Sequence, residues 1–420
     1  MSRFADAHAV LRAEIKHERL AGASAAVMVD GALVDEFVAG QADREAGTPL
    51  RLDTIHRAFS NSKLATSVLV LMLHDEGRFG LDDPIAEWLP ALRDLRVMRP
   101  GASMLDDTEA LARPVTIRHL LTHQAGFSHG VFEPGTPLHE AYVARGLRSH
   151  ETALAELVPR LATLPLQFQP GEGWDYALGC DVLGRLVEVV TGQTFGDALQ
   201  QRLFGPLGMV DTGFVLRPDQ APRLAALYAG DMANVLASGL RRLNDTPWPE
   251  AYLKPVPRQS GAGGLFSTQA DMLALLRALL PAKTDDDGAE RAERRAAPSR
   301  PAPARRVADV PGGRVPQLLK PATLAAMYTD QLPAERCVRF AMMGTIPTLG
   351  FGLAGAVTRS ASALAPEAAV GELQWGGLAG THWFIHPQRR VIGVVMAQRF
   401  MGFWNPFWFL WRRRVYEALG

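Results

Sequence analysis

The alternation of apolar and polar positions predicts the first elements of the chain. Four residues recur at helical spacing near the start and predict an amphipathic helix: Phe4, His8, Leu11 and Ile15. The stretch ASAAVMVDGALVDEFVAG, residues 23–40, has two arms typical of β-strands around Asp30-Gly31, which predicts a hairpin. A strongly apolar helix is then expected to begin at Ser60 and to end near Gly77.

The rest of the chain divides into a helical and a β-rich part. From about Leu81 to Lys254 the pattern indicates helices joined by loops containing Pro and Gly. Three later segments read as successive strands, FGLAGAV, ELQWGGLAGTHWFIHP and RVIGVVMAQRF, and NPFWFLWRRRVYEAL as a last helix. We therefore expect a split α/β domain, residues 1–80 and 255–420, with an all-α domain, residues 81–254, inserted into it.

One segment has a different composition. Residues 281–316 are rich in Ala, Arg, Pro and Asp and contain almost no large apolar side chain. Such a segment buries too little surface to offset the entropy of ordering it, so we expect a flexible surface insertion. A role in binding a partner is the alternative.

Composition and charge narrow the classes of function. Hydrophobic residues make up 47% of the 420 positions and charged residues 21%, which is typical of a globular protein. The formal net charge is zero, which argues against a nucleic-acid partner. No segment has the length of a membrane span or the apolar core of a signal peptide, so a cytoplasmic location is expected. Cys180 and Cys337 are too few for a disulfide framework.

The segment AFSNSKLATS places Ser60 and Lys63 three residues apart at the head of the apolar helix, in a chain with only five lysines. Residues at this spacing share one helix face, and burial disfavours the charged form of an amine. A neutral amine can take the proton of a neighbouring hydroxyl and activate it as a nucleophile. The alternative is that Ser60 caps the helix while the Lys63 stem lies along apolar surface.

Five ordered segments resemble the serine β-lactamase and penicillin-binding-protein superfamily, and more closely its family VIII carboxylesterases. The segments are TIHRAFSNSKLATSVLVLMLHDEGRFGLDDPIAEWLP, VTIRHLLTHQAGF, FQPGEGWDYALGCDVLGRLVEVVTGQTF, SGAGGLFSTQADMLALL and WGGLAGTHWFIHP. The resemblance implies a β-lactamase-like fold, with an antiparallel sheet flanked by helices, and a catalytic role for Ser60 and Lys63.

The resemblance also implies that Tyr176 faces this serine and lysine from the helical domain. As a phenolate, Tyr176 could accept the Ser60 proton and return it to the leaving alcohol, and whether Tyr176 or Lys63 is the formal base stays open. Lactamases of the family usually have Tyr-x-Asn here, whereas this chain has Leu178 in place of the amide. Trp174 is a candidate for substrate binding. The alternative is that Tyr176 only packs against Trp174 in a loop.

The third motif of the family also departs from its usual form. Lactamases carry Lys-Thr-Gly or a close variant, and this chain has Trp375, Gly376 and Gly377, which we expect to line the substrate site. The backbone N–H groups of Ser60 and Leu378 would form the oxyanion hole. Trp375 replaces a cation with an apolar wall, which favours an uncharged ester. Alternatively, Trp375 is a core residue of an alternating strand.

Two further patterns are weaker. GFSHG, residues 126–130, matches the GxSxG motif of α/β-hydrolases, but no strand is expected to lead into it, so Ser128 is not favoured as a nucleophile. His119 and His123 have a spacing that can bind zinc, yet no third ligand is evident. No metal or cofactor is expected.

We therefore expect a serine carboxylesterase that hydrolyses short-chain acyl esters through an acyl-enzyme on Ser60, with a small-molecule ester as its partner. Three alternatives stay open. The same site could serve a β-lactamase or DD-peptidase, or an acyltransferase, and the chain could instead be a non-catalytic ligand-binding member of the family. The sequence leaves the oligomeric state open.

Overall fold

Strands from both ends of the chain form one sheet in the computed structural model, which describes residues 2–130, 134–231, 233–243, 252–282, 316–340, 344–363 and 365–420. The predicted insertion, residues 281–316, lies almost entirely outside the described residues. The described strands, in chain order, are β1 (Gly22–Val29), β2 (Ala32–Asp43), β3 (Thr48–Pro49), β4 (His56–Arg57), β5 (Arg96–Met98), β6 (Thr108–Ala110), β7 (Tyr228–Ala229), β8 (Arg241–Arg242), β9 (Phe266–Ser267), β10 (Val338–Phe340), β11 (Gly344–Ile346), β12 (Leu349–Phe351), β13 (Ala356–Thr358), β14 (Leu373–Gly377), β15 (Thr381–His386), β16 (Val391–Ala397) and β17 (Arg399–Phe400).

Eight of these strands form the central sheet in the order β12-β13-β14-β15-β16-β1-β2-β3, and every neighbouring pair is antiparallel. The predicted hairpin is confirmed: Asp30 and Gly31 both adopt left-handed backbone conformations between β1 and β2. This is the geometry that a tight two-residue hairpin turn requires. Because β1 pairs with β16, strands from the N-terminal and the C-terminal parts of the chain are neighbours in one sheet.

Helices cover both faces of the sheet. The described helices are α1 (Ala5–Lys16), α2 (Ser62–Asp75), α3 (Ile117–Leu121), α4 (Pro137–Ala144), α5 (Leu154–Leu161), α6 (Gly179–Thr191), α7 (Phe195–Leu199), α8 (Gly205–Leu207), α9 (Gln269–Ala278), α10 (Pro321–Tyr328) and α11 (Phe407–Leu419). On one face, Leu11 of α1 and Trp411 of α11 pack with Phe384 of β15. On the other, Val68 of α2 and Leu276 of α9 share a core with Met396 of β16.

The helices from α3 to α8 belong to the same large core as α2. Leu120 of α3, Leu157 of α5 and Leu186 of α6 are fully buried within it. Gly192 ends α6 in a left-handed conformation, which glycine adopts without a steric penalty. The expected fold, an antiparallel sheet flanked by helices, is confirmed, whereas the domain boundaries stay predictions. Among the described residues, no helix is both long and apolar enough to cross a membrane.

Candidate active site

Ser60 lies in a single 3₁₀ turn, Phe59–Asn61, that runs directly into α2. The predicted helix therefore starts two residues later than Ser60, and Ser60 sits at its N-terminal end, where backbone N–H groups favour negative charge. Ser60 is half-buried. Phe59 has a φ of 46°, a left-handed conformation that costs energy in a residue with a side chain and that often marks a functional turn.

Lys63 is buried in the first turn of α2, with 4% of its surface exposed. Its Nζ donates a hydrogen bond of 2.6 Å to the carbonyl oxygen of Ala262 and lies 4.4 Å from the centre of the Tyr176 ring. The fold thus brings Tyr176, more than a hundred residues away in sequence, against the amine.

Tyr176 is held between this lysine and the end of the sheet. Its hydroxyl oxygen accepts a hydrogen bond of 3.2 Å from Nε1 of Trp375, and both side chains are buried. A neutral indole N–H donor thus meets the tyrosine oxygen.

Two histidines, the buried His123 and the half-buried His129, pack on the ring of Tyr176. The ring of His129 stacks on Tyr176 with centroids 5.4 Å apart, and that of His123 lies 4.7 Å away. Burial, reinforced by the nearby charge of Lys63, holds the pKa of both imidazoles well below the usual value. Nδ1 of His123 accepts the backbone N–H of Ala177 and so helps to fix the loop that carries Tyr176.

These contacts assign separate tasks to the two histidines that had suggested a zinc spacing. Nδ1 of His119 accepts the backbone N–H of Thr116 and completes the N-terminal cap of α3, while His123 supports the tyrosine loop. Across the described ranges, no group of three or more His, Cys, Asp or Glu side chains is arranged to hold a metal ion.

The end of β14 lies against the turn that carries Ser60. A side chain on Gly377 would collide with the carbonyl oxygen of Ala58, and the hydroxyl of Thr381 donates to that same oxygen at 3.3 Å. Leu378 follows β14 directly and packs against the small apolar cluster of Phe59, Leu227 and Ala379. This approach brings the backbone of Leu378 next to the Ser60 turn, where the oxyanion hole is expected.

Trp375 and Trp174 belong to one aromatic cluster. Trp375 contacts Tyr176, Phe340, Phe351 and Phe403, with ring centroids 5.3 to 6.0 Å apart. Trp174 packs on Phe340 and Phe351 and lies 5.9 Å from His123. Trp375 is thus a buried residue of the sheet and also the wall beside Tyr176.

Sequence reasoning missed the residues that hold Lys63. The carboxylate of Asp181 is buried at the start of α6 and accepts hydrogen bonds from Ser260 Oγ at 2.8 Å and from the backbone N–H of Ala262 at 3.0 Å. Asp181 thereby positions the Ala262 carbonyl that receives Lys63. An acidic residue five positions after Tyr176, in the first turn of α6, was the available signal.

Ser128, the other nucleophile candidate, is engaged in local structure, and Cys180 is a buried free thiol. The Ser128 hydroxyl oxygen accepts the backbone N–H of Gly130 at 3.0 Å, and the Ser128 N–H donates to the Tyr142 hydroxyl at 3.1 Å. Before this loop the chain runs through α3 and not through a strand, so the GxSxG elbow geometry is missing. Burial raises the pKa of the Cys180 thiol to about 12, which leaves it protonated.

Comparison with known proteins places this geometry in a family. The family model described as Beta-lactamase matches residues 7–405. The chain is 31% identical over 390 residues to Esterase EstB of Burkholderia gladioli, covering 90% of this chain and 86% of the relative. It is 26% identical to Acyltransferase calJ of Penicillium decumbens, covering 86% and 79%. The solved structure of EstCE1, a hydrolase with promiscuous acyltransferase activity, aligns with a TM-score of 0.77 at 24% identity, covering 99% and 98%.

Proposed function

The chain belongs to the β-lactamase family, and we propose that it is a serine esterase that hydrolyses short-chain acyl esters through a covalent intermediate on Ser60. The observation that carries this proposal is the hydrogen bond from Trp375 Nε1 to the Tyr176 hydroxyl. The Trp375 indole supplies a hydrogen-bond donor to the tyrosine oxygen. Unlike the lysine of the lactamase motif, it has no positive charge to pair with the carboxylate of a β-lactam or a peptide.

In the first half-reaction, Ser60 Oγ attacks the ester carbonyl and gives its proton to the Lys63–Tyr176 pair. The negative charge moves to the carbonyl oxygen, which the backbone N–H groups of Ser60 and Leu378 stabilise. Tyr176 then passes the proton to the leaving alcohol as the bond between carbon and alkoxide breaks. The acyl group stays on Ser60.

In the second half-reaction, a water molecule gives a proton to the same pair and attacks the acyl carbon. The tetrahedral intermediate collapses, Ser60 recovers its proton and the carboxylic acid leaves. Lys63 can support both steps because it is anchored on the Ala262 carbonyl and faces the Tyr176 ring. Neutral His123 and His129 surround the tyrosine without adding charge.

Two departures from the lactamase pattern support an uncharged ester. Leu178 stands where an amide side chain would hold a β-lactam, and it is buried. Trp375 contributes an apolar surface within an aromatic cluster. The assignment to family VIII carboxylesterases and the cytoplasmic location stay predictions.

Acyl transfer to an alcohol is the second candidate, and the similarity to Acyltransferase calJ over most of the chain favours it. The chemistry differs only in the group that attacks the acyl-enzyme. Adding an alcohol during turnover and measuring the ratio of new ester to free acid separates transfer from hydrolysis.

The proposal is tested with a chromogenic butyrate ester and the variants Ser60→Ala and Ser128→Ala. We expect Ser60→Ala to lose more than about a thousandfold in kcat because no other hydroxyl takes over as nucleophile. Ser128→Ala is the matched control, since the Ser128 hydroxyl accepts the backbone N–H of Gly130 within its own loop. Mass spectrometry of the protein mixed with a serine-directed phosphonate should show one adduct, on Ser60.

Activity that survives Ser60→Ala and disappears in Ser128→Ala would overturn the assignment. A wild-type protein that reacts with neither ester nor phosphonate would favour the non-catalytic, ligand-binding alternative.

A further inference from the structure

A small three-stranded sheet stands beside the end of β14. Its central strand β7 is parallel to β17 and antiparallel to β8. The backbone N–H of Arg399 in β17 donates to the carbonyl oxygen of Ala379 at 2.9 Å. The side-chain amide of Gln398 accepts the N–H of Arg57 and donates to the carbonyl oxygen of the same residue. The small sheet is therefore fixed both to the turn after β14 and to the strand that leads into Ser60.

One face of the small sheet is polar. Backbone pairing places Tyr228 opposite Arg242 and opposite Arg399, so these three side chains point to the same side. On that side the Tyr228 hydroxyl donates to the carboxylate of Glu45, and Arg242 pairs with Asp43. The charged and hydroxyl groups of the three strands thus have partners on the side away from the neighbouring residues.

The opposite face is apolar. It carries Leu227 directly before β7, Leu243 directly after β8 and Phe400 of β17. The N–H of Leu243 donates to the carbonyl oxygen of Leu227 at 2.8 Å, which continues the pairing of β7 with β8. These side chains form one cluster with Phe59 and Leu378. Leu227 is buried, whereas Leu243, Leu378 and Phe400 keep part of their surface exposed. We call Leu227, Leu243, Leu378 and Phe400 the apolar platform.

The direction of β14 indicates which half of an ester meets the platform. Trp375 contacts the Tyr176 hydroxyl, which passes its proton to the leaving alcohol, so the alcohol lies toward Trp375. The proposed oxyanion donor at Leu378 is three residues further on, which is roughly 10 Å along an extended strand. The ester carbon lies between these two points. Its acyl substituent points away from the alcohol, and therefore toward the platform.

We propose that the apolar platform binds the acyl chain of the ester and selects uncharged hydrocarbon chains. This inference rests on the proposed function, and it assigns the selectivity to the acyl half of the substrate. An acyl chain that covers the platform removes apolar surface from water on both sides of the contact. A carboxylate at the end of the chain would lose its hydration there without gaining a partner from the four apolar side chains.

Three ethyl esters test the proposal without any substitution: ethyl acetate, ethyl butyrate and monoethyl succinate. In the succinate, a carboxylate replaces the terminal methyl group of the butyrate. In a pH-stat at pH 7 we expect kcat/KM to rise about fourfold for each of the two added methylene groups, and so about fifteenfold from acetate to butyrate. Monoethyl succinate should be hydrolysed no faster than ethyl acetate.

Leu243→Arg places a cation on the platform at a half-buried position. It should raise the ratio of kcat/KM for monoethyl succinate to that for ethyl butyrate by about tenfold, because the carboxylate then has a partner. Leu410→Arg is the matched control: it makes the same substitution at a leucine of α11 that is 50% exposed, and it should leave this ratio unchanged.

Phe400→Ala shortens one side chain of the platform and introduces no charge. It should reduce the advantage of ethyl butyrate over ethyl acetate by about threefold, because less apolar surface is left for the chain. A ratio of two substrates in one preparation does not depend on the folded fraction of a variant. Both substitutions therefore remain informative if they lower stability.

Equal kcat/KM for acetate and butyrate in the wild type, or unchanged ratios in Leu243→Arg and Phe400→Ala, would overturn the proposal. A wild-type preference for monoethyl succinate would also overturn it, and the exposed Arg241, two positions before Leu243, would then be the partner of the carboxylate. No hydrolysis of any of the three esters, together with no phosphonate adduct on Ser60, would instead overturn the proposed function.

Discussion

At the scale of single residues, the contact between Trp375 and Tyr176 separates this site from that of a lactamase. The indole N–H donates to the tyrosine oxygen over 3.2 Å in a buried aromatic cluster. Hydrogen bonds to a charged acceptor are stronger than those between neutral groups. In the proposed mechanism the donor is therefore most valuable while Tyr176 is a phenolate, before it accepts the Ser60 proton.

Trp375→Phe retains the aromatic wall and removes only the donor. We expect kcat to fall by about tenfold and the acid limb of the pH–kcat profile to move to higher pH, because the negative tyrosine loses a stabilising partner. Trp174→Phe is the matched control: it makes the same substitution in the same cluster, and Trp174 Nε1 has no partner in the described part of the chain. An unshifted acid limb in Trp375→Phe would contradict this role.

At the scale of elements, a fully buried ion pair ties α11 to the strand that carries Trp375. Glu372, just before β14, pairs with Arg412 of α11, and it also accepts a hydrogen bond of 2.7 Å from the Tyr416 hydroxyl. Both charged side chains are at most 1% exposed. Burial raises the pKa of Glu372, and the positive charge of Arg412 opposes that shift.

Removing one member of this pair leaves the other charge buried without its partner. We expect Arg412→Met to lower the free energy of unfolding by about 3–5 kcal/mol, measured by urea denaturation at neutral pH. The double variant Glu372→Gln with Arg412→Met should recover a large part of that loss, since no unpaired charge is left. A double variant as unstable as the sum of the two single variants would show that the pair does not interact as described.

At the scale of the whole molecule, several histidines are folded into the interior as neutral rings. Burial lowers the pKa of His56 and His386 to about 4 and that of His382 to about 3. Unfolding returns each ring to water, where it takes up a proton near pH 6.5. At pH values between these two pKa values, the unfolded chain binds protons that the folded chain excludes. The free energy of unfolding therefore does not suffer from these histidines above pH 6.5, and it decreases as the pH falls toward 4.

His56→Phe tests this dependence at a residue that is 1% exposed and whose Nε2 lacks a partner among the described residues. Because the pKa of His56 differs by 2.5 between 6.5 and about 4, we expect the variant to recover up to about 3 kcal/mol of the stability that the wild type loses between pH 6.5 and pH 4. At pH 7 the lost hydrogen bond to the Thr54 carbonyl costs about 1 kcal/mol. Urea denaturation at several pH values measures both, and the exposed His17→Phe is the control. An unchanged pH dependence in His56→Phe would contradict the assignment.

Several features of this protein were determined by the sequence itself. The spacing from Phe4 to Ile15, the turn at Asp30-Gly31 and the late alternating segments predicted α1, the first hairpin and strands β14 to β16. These are local properties, because a helix or strand shows its period within a dozen residues. Ser60, Lys63 and Tyr176 could be named from ordered motifs, although their roles stay proposals.

Other features were decided only by the tertiary structure. The anchoring of Lys63 on Ala262 through Asp181, the stacking of His129 on Tyr176 and the apolar platform beside the end of β14 all join residues far apart in the chain. No local pattern records such pairs, since each partner has an ordinary side chain for its own element. The contact between Trp375 Nε1 and Tyr176 was missed for the same reason: it depends on how closely the end of β14 approaches the tyrosine loop, which is settled by packing and not by spacing.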